Sequence, residues 1–333
     1  MVLEQILRAL VSKEMVMVLF FPGITFITAL SMFSLWFERK LVARVALRLG
    51  PVHVGKIGGI LQVISDGVKL ISKEIIIPGT ANRLGFILMP IIASIFPLLI
   101  YPFIPFGGGW IIYPSEIGLL LIFAVVALSP IPLLLAAWVS GTKYPFIGML
   151  RLAFQLFAYE VPMFLALASV VVLAGSFNLE KIVEAQAGAP FIFLLPLSFL
   201  VFFISVLAES ERIPFDIPTA EQEIVSGWMA EYSSIFFELL MLAAYLKLNG
   251  LALLATVLFL GGWMGPPIPF MPREIYEPMW MILKTMGLLF FILLFRGVYP
   301  RITMDRLLDI GWRVLIPLAL INLFFAVLLT PII

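Results

Sequence analysis

The sequence predicts an all-α integral membrane protein of about eight transmembrane helices, and three observations indicate that fold class. Of the 333 residues, 62% are hydrophobic and only 12% are charged, whereas soluble domains carry about 25% charged residues. The mean hydropathy is +1.14. Several apolar runs also reach the roughly 20 residues that a helix needs to cross a bilayer. We therefore expect one transmembrane domain over residues 1–333.

Eight apolar runs define the predicted spans. They are 15–37, 84–105, 117–139, 154–175, 190–208, 232–262, 279–296 and 314–332. The run 232–262 is interrupted by Lys247, Asn249 and Gly250, so it could form one long helix or two short ones. With one helix there, 15 of the 21 Lys and Arg residues fall in loops on one side and four on the other. The positive-inside rule makes the first side cytoplasmic, which favours eight spans with both termini outside.

Composition also restricts the chemistry that the chain can perform alone. The absence of Cys excludes a cysteine-ligated iron–sulfur cluster, a zinc–thiolate site and disulfides within this chain. A single histidine, His53, excludes a histidine-rich metal site. The net charge of +1 gives no electrostatic footprint for nucleic acid. We expect no metal or cofactor bound by this chain, so that any redox group belongs to a partner.

The segment 38–83 is too charged to cross a bilayer, but its middle has helical periodicity. The apolar positions of one helical face are Ile57, Ile60, Leu61, Ile64, Val68 and Ile71. Asp66, Lys69 and Lys73 occupy the other face. This pattern predicts an amphipathic helix lying at the cytoplasmic membrane interface. The alternative is a helix buried under a partner protein.

Ionisable residues inside the predicted spans are functional candidates, because burying a charge in lipid costs a few kcal/mol or more. Glu160 lies in the fourth span, and Glu238 and Lys247 lie in the sixth. The spacing of Glu231 and Glu238 is two helical turns, which would stack them on one face as a carboxylate ladder for protons. Lys247 could instead extend toward the interface near a helix end, as could Lys284.

The predicted cytoplasmic loop 209–231 is dense in acids and holds a single base, Arg212. Its acids are Glu209, Glu211, Asp216, Glu221, Glu223 and Glu231. Carboxylates this close cannot all ionise cheaply, so some pKa values should rise, as is typical of groups that hold and release protons. The alternative is an ordinary solvated or salt-bridged loop. Pro214 and Pro218 exclude a continuous helix.

Five sequence blocks, several of them rich in charge, resemble the NuoH-type membrane subunit of respiratory complex I and of energy-converting membrane-bound hydrogenases. The first is ERKLVARVALRLGPVHVGKIGGILQVISDGVKLISKE at 38–74. The others are SGTKYPFIGMLRLAFQLFAYEVP (140–162), AESERIPFDIPTAEQEIVSGWMAEYS (208–233), TVLFLGGW (256–263) and FRGVYPRITMDRLLDIGWRVLIPLAL (295–320). The resemblance runs from about Glu38 to the C-terminus.

The resemblance implies a coupling role in the cell membrane. The chain would join a hydrophilic redox arm on the cytoplasmic face, which carries the iron–sulfur clusters, to antiporter-like membrane subunits. A chamber or redox-arm interface would involve Arg39, Arg48, Asp66, Lys69, Arg212 and Asp216. A proton relay would involve Glu160, Glu209, Glu221, Glu223, Glu231, Glu238 and Lys247.

Some positions depart from the family pattern, and they leave the electron acceptor open. The family commonly has a glutamate before a tyrosine where this chain has Ala244 and Tyr245. Quinone is one acceptor; the same role in a ferredoxin-linked, quinone-free hydrogenase or sulfur-reducing complex is the alternative. Two other functions remain: a stand-alone secondary transporter, which usually has repeated broken helices, and a membrane scaffold without a relay.

Overall fold

The computed structural model describes residues 13–55, 58–107 and 109–330, and it shows an all-α architecture with no strand in those ranges. The helices on the N-terminal side are α1 (Lys13–Leu19), α2 (Ile24–Val45), α3 (Gln62–Ser72), α4 (Arg83–Leu98), α5 (Gly118–Leu128), α6 (Ile131–Val139) and α7 (Lys143–Ala174). The remaining helices are α8 (Leu179–Glu184), α9 (Phe191–Leu194), α10 (Pro196–Glu209), α11 (Glu221–Ile224), α12 (Ser234–Phe259), α13 (Arg273–Val298), α14 (Met304–Asp309) and α15 (Ile316–Leu329). Short 3-10 turns occur at Tyr101–Phe103 and Gly227–Met229, and a π-helical stretch, Ile310–Leu315, joins α14 to α15.

Seven helical segments of the described chain are long and apolar enough to cross a membrane. They are Met15–Val45, Arg83–Phe103, Gly118–Val139, Lys143–Ala174, Ser234–Phe259, Arg273–Val298 and Met304–Leu329. The eighth predicted span, 190–208, corresponds to α9 followed by the shorter apolar helix α10. A helix of 14 residues reaches only about 21 Å, less than the roughly 30 Å of a hydrocarbon core. The membrane class is confirmed, with seven candidate spans and one shorter apolar helix among the described residues.

The ambiguous run 232–262 forms the single unbroken helix α12, as the charge distribution favours. The predicted end of the first span is wrong, because α2 continues to Val45 and contains Glu38 and Arg39. These residues remain helical because partner side chains neutralise them. The fourth span likewise begins at Lys143, well before the predicted residue 154.

Helix α12 is the centre of the bundle. Every residue from Tyr245 to Phe259 is buried, and the helix packs against α2, α4, α10 and α13. Its N-terminus, with the segments 46–55, 58–82, 210–233 and 299–303, forms the end of the bundle that we call the charged side. Ser234 anchors the amphipathic helix there: its hydroxyl donates to the carbonyls of Leu70 and Lys73 at 3.0 and 2.9 Å.

The amphipathic helix is present as α3. Val63 is buried, while Ile64, Val68 and Ile71 expose between 52 and 63% of their surface. The apolar face is therefore available to lipid or to another protein. Ile57, which the periodicity also assigned to this face, lies outside the described residues.

Candidate functional site

Glu38 is the centre of a buried charged cluster on the charged side. Only 1% of its surface is exposed. Arg212 donates to both carboxylate oxygens at 2.8 and 2.9 Å, the Tyr245 hydroxyl donates to Oε2 at 2.8 Å, and Arg296 forms a further ion pair. Two guanidinium groups thus face one carboxylate, which leaves a net charge of +1 in the cluster.

Two cavities meet at this cluster. One, of about 530 Å³, is lined by Glu38, Arg39 and Arg48. The other, of about 280 Å³, is lined by Arg212 and residues of the acidic loop. Three residues line both cavities: Met241, Tyr245 and Arg296. The cavities therefore lie side by side, with the Glu38 cluster between them.

The outer wall of the larger cavity is fixed to α3. Arg39 forms an ion pair with Asp66, which also accepts from Gln62 at 2.9 Å. Burial opposes the charged form of Asp66, but these hydrogen bonds outweigh it, so the pKa of Asp66 lies below its ordinary value. Lys69 is exposed on the same helix. Glu238 lies beside Gly67 of α3, far along α12 from Lys247.

The stacking of Glu231 on Glu238 is a wrong prediction, because α12 begins only at Ser234 and Glu231 lies in the preceding turn. Elsewhere in the loop, Asp216 pairs with Arg301 at 2.8 Å. Burial raises the pKa of Asp216 despite this pair. Glu223 is exposed and forms an ion pair with Arg151.

Glu221 and Glu211 both line the 280 Å³ cavity. Glu221 is exposed, whereas the Glu211 carboxylate accepts a hydrogen bond from the Trp228 indole at 2.8 Å. Burial raises the pKa of Glu211 to about 7. A carboxyl group with such a pKa can both hold and release a proton near neutral pH.

Glu209 and Lys247 form a buried ion pair deeper in the bundle. The lysine Nζ donates to Glu209 Oε1 at 2.6 Å, and the two residues are 3% and 6% exposed. Glu209 Oε2 is buried and has no hydrogen-bond partner among the described residues. Glu160, half-buried on α7, interacts electrostatically with both members of the pair. The predicted relay residues Glu160, Glu209 and Lys247 are thus brought together.

A third, small cavity connects this pair with the loop. Its volume is about 20 Å³, and its walls include Glu209, Lys247 and Glu211. Glu211 also lines the 280 Å³ cavity, so this residue borders both spaces. The small cavity therefore lies between the acidic loop and the buried pair.

Sequence reasoning missed several of these groups as site residues. They are Glu38, Glu211, Tyr245, Arg296 and Arg301. Glu38 and Arg296 lie at the ends of predicted spans, where charges are usually interfacial, and this position concealed them. A usable signal was available for Glu38 and Glu211, since each is an acid next to a base in the chain. Conversely, Glu223, Glu231 and Glu238 are not grouped with Glu160 and Glu209.

Polar side chains of α13 and of the turn after α8 also lie beside the C-terminal end of α12, and their hydrogen bonds go to backbone atoms. Lys284 donates to three backbone carbonyls, those of Leu260, Gly262 and Met264. The Gln186 side chain makes four hydrogen bonds, all to backbone atoms. Both close the end of the bundle opposite the charged side. The Lys284 side chain therefore reaches the loop 260–264 at this end of the bundle, where backbone carbonyls hold its ammonium.

The fold and the site define a multi-pass membrane subunit with charged cavities at one end and a buried ion pair beneath them. The sequence profile of the family described as NADH dehydrogenase matches residues 15–327. The chain belongs to this family of complex I membrane subunits.

Individual relatives agree over nearly the whole length. A protein from Geobacillus sp. that is named as a subunit of NADH-quinone oxidoreductase is 38% identical over 330 residues, covering 98% of both chains. Proteins of the same name from Syntrophotalea carbinolica and Rhodospirillum rubrum are 41% and 42% identical. The alignments cover 86% and 85% of this chain, and 87% and 84% of those relatives. The family resemblance of the sequence is confirmed.

Proposed function

We propose that the chain is the coupling subunit of an ion-translocating oxidoreductase in the cell membrane. It would join a redox arm, docked on the charged side, to antiporter-like membrane subunits. Quinone is the acceptor we favour over a quinone-free hydrogenase, because the relatives are named for NADH-quinone oxidoreductase. The observation that carries the proposal is that Glu211 lines both the 280 Å³ cavity and the small cavity of the Glu209–Lys247 pair.

The charged cavities suit a quinone as substrate. Three residues that line the 280 Å³ cavity also donate to the Glu38 carboxylate: Arg212, Tyr245 and Arg296. Their excess positive charge would favour the electron-rich reduced head group. Arg39 and Arg48 would border the path by which the molecule enters from the α3 side.

Reduction in the cavity would change the charge that Glu211 experiences. Two unit charges about 10 Å apart interact by about 1.7 kcal/mol at an effective dielectric constant of 20, which is about one pKa unit. A group with a pKa of about 7 would respond to such a change by taking up or releasing a proton.

The proton would then move to the Glu209–Lys247 pair and onward to Glu160. Protonation of Glu209 removes the negative charge from its ion pair, so the pair becomes net positive and the Lys247 ammonium can interact with the Glu160 carboxylate. Positive charge would thus move from the Glu209 side of Lys247 toward Glu160 without a large backbone motion. Moving one charge through a 100 mV membrane potential requires about 2.3 kcal/mol.

The variant Glu160→Gln tests the relay in the intact complex reconstituted in vesicles. Glutamine keeps the volume of the side chain but cannot carry a proton, so we expect assembly and electron transfer to persist while pumping per electron falls about tenfold or more. Glu184→Gln is the matched control, since Glu184 is exposed on α8. Normal pumping by Glu160→Gln would support a scaffold without a relay. Ion transport by the purified chain alone would support a stand-alone transporter.

A further inference from the structure

The sequence block TVLFLGGW (256–263) lies at the end of the bundle opposite the charged side and takes no part in the proposed relay. It contains the last residues of α12 and the start of the turn that follows. Three backbone carbonyls of this turn converge on the Lys284 ammonium: those of Leu260, Gly262 and Met264, at 2.6, 3.0 and 2.5 Å. An ammonium has three N–H donors, so each of them meets one carbonyl. We call these three oxygens the carbonyl cage.

Two consecutive glycines give the turn its shape. Gly261 and Gly262 both have left-handed backbone conformations, with φ of +68° and +47°, which glycine adopts without the steric penalty of a side chain. A Cβ on Gly262 would lie 2.8 Å from Cγ2 of Val183, so a side chain does not fit there. The glycine pair therefore allows alternate carbonyls of the turn to face a single point.

Hydrogen bonds that do not involve Lys284 hold the carbonyl cage in place. The Gly261 N–H donates to Gln186 Oε1 at 2.9 Å. The N–H of Gly262 donates to the Thr256 carbonyl at 3.0 Å, and that of Met264 donates to the Gly261 carbonyl at 2.9 Å. Because these bonds fix the turn from outside the cage, we expect the three oxygens to keep their positions when the lysine side chain is shortened.

The surroundings of the carbonyl cage favour a monovalent cation. The cage lies at the C-terminal end of α12, where the helix dipole carries partial negative charge. Neutral backbone carbonyls are also the groups that replace the hydration shell of K⁺ in channel filters. Lys284 is only half-buried, so the cage is not sealed inside the bundle.

We propose that the carbonyl cage is a binding site for a monovalent cation of the size of ammonium or K⁺, and that Lys284 fills it with a cation tethered to α13. A tethered cation cannot diffuse away, so the turn 260–264 keeps its fold whatever ions the solution contains. Without the tether, a soluble ammonium ion would take the same place. The TVLFLGGW block thus builds a cation site, in addition to completing α12.

The variant Lys284→Ala tests the site, because it removes the ammonium and leaves the cage open. The measurement is the thermal midpoint at which this chain is lost from the soluble fraction of the purified complex. It is made in ammonium, potassium and choline chloride at equal ionic strength. In choline the midpoint of Lys284→Ala should fall below that of the wild type. Ammonium should restore most of this loss with a saturable concentration dependence, as expected for a ligand that binds the folded state, whereas the wild type should have equal midpoints in all three salts.

Two controls separate a filled site from a general salt effect. Lys284→Met keeps a long side chain in the cage but carries no charge, so ammonium should not raise its midpoint. Lys181→Ala removes an exposed lysine that pairs with Glu116 at the surface, and its midpoint should be equal in ammonium and choline. Equal midpoints of Lys284→Ala in ammonium and choline would overturn the proposal. An equal gain by Lys284→Met in ammonium would overturn it too.

The proposal remains testable if Lys284→Ala does not survive purification in ordinary buffers. Membranes of this variant are then solubilised and purified in ammonium chloride throughout, and in parallel in choline chloride. Recovery of assembled complex in ammonium alone would support a cation site. Recovery in neither salt, or equal recovery in both, would overturn it.

Discussion

Two regions along α12, one around its midpoint and one beside its C-terminal end, show two ways of keeping polar groups inside a membrane bundle. Beside the C-terminal end, Lys284 of α13 and Gln186, which follows α8, form hydrogen bonds with backbone atoms. Around the midpoint, Lys247 and Tyr245 bond to carboxylates beside cavities, and one oxygen of Glu209 has no hydrogen-bond partner among the described residues. Each region holds a lysine, Lys247 buried and Lys284 half-buried, yet only Lys247 has a partner that can be protonated.

The difference teaches that burial of a charge is a weak indicator of function in a membrane protein. Backbone carbonyls cannot titrate, so the Lys284 ammonium fastens the loop 260–264 in one arrangement. The Lys247 ammonium is instead paired with a carboxylate, a chemical group that can take up a proton. The chemistry of the partner group, more than the burial of the lysine, therefore distinguishes a lysine that fixes a loop from one that could take part in a proton relay.

The largest effect, a loss of assembled complex, should come from removing one member of the Glu209–Lys247 ion pair. Lys247→Met leaves Glu209 as an uncompensated buried charge, which typically costs about 3–5 kcal/mol. We expect little assembled complex in membranes, measured by native gel electrophoresis. Adding Glu209→Gln removes the unpaired charge and should restore assembly. Failure of the double variant to recover would show that the pair serves packing instead of charge balance.

A smaller effect is expected beside the C-terminal end of α12, where Lys284 of α13 lies. Lys284→Met removes the donor to three carbonyls and should destabilise the protein by about 1–3 kcal/mol, seen as a lower thermal midpoint of the purified complex. Pumping per electron in the surviving complex should be unchanged, because no proton passes there. A defect in pumping without a loss of stability would remove the distinction between the two halves.

The smallest change concerns one proton on Glu211. Because burial raises the pKa of Glu211 to about 7, the protonated form should persist up to that pH and disappear as the pH rises further. An infrared pH titration should show a carboxyl band with a midpoint near 7 that Glu211→Gln lacks. Glutamine can still accept the Trp228 hydrogen bond. A midpoint in the ordinary range of glutamate would contradict the role of Glu211 as proton donor.

Hydropathy and charge predicted much of this fold, because lipid imposes a simple rule on spans. They predicted the single helix α12, the amphipathic α3 and the position of Glu160 within a long apolar helix. They did not predict that α2 extends through Glu38, since its ion pairs with Arg212 and Arg296 join residues more than 170 positions apart in the chain. The sequence also did not predict the cavities, because their shape depends on packing between helices. The pairing of Lys247 with Glu209 has the same origin, whereas periodicity misplaced Glu231 because α12 begins after that residue.

Proton pumping per electron by the Glu209→Gln/Lys247→Met complex tests the central claim most directly. The double variant removes both titratable groups of the pair while leaving no unpaired charge, so it separates the relay from assembly. We predict an assembled complex that transfers electrons but pumps about tenfold less or worse. An assembled double variant that pumps protons at the wild-type ratio would contradict a relay through this pair.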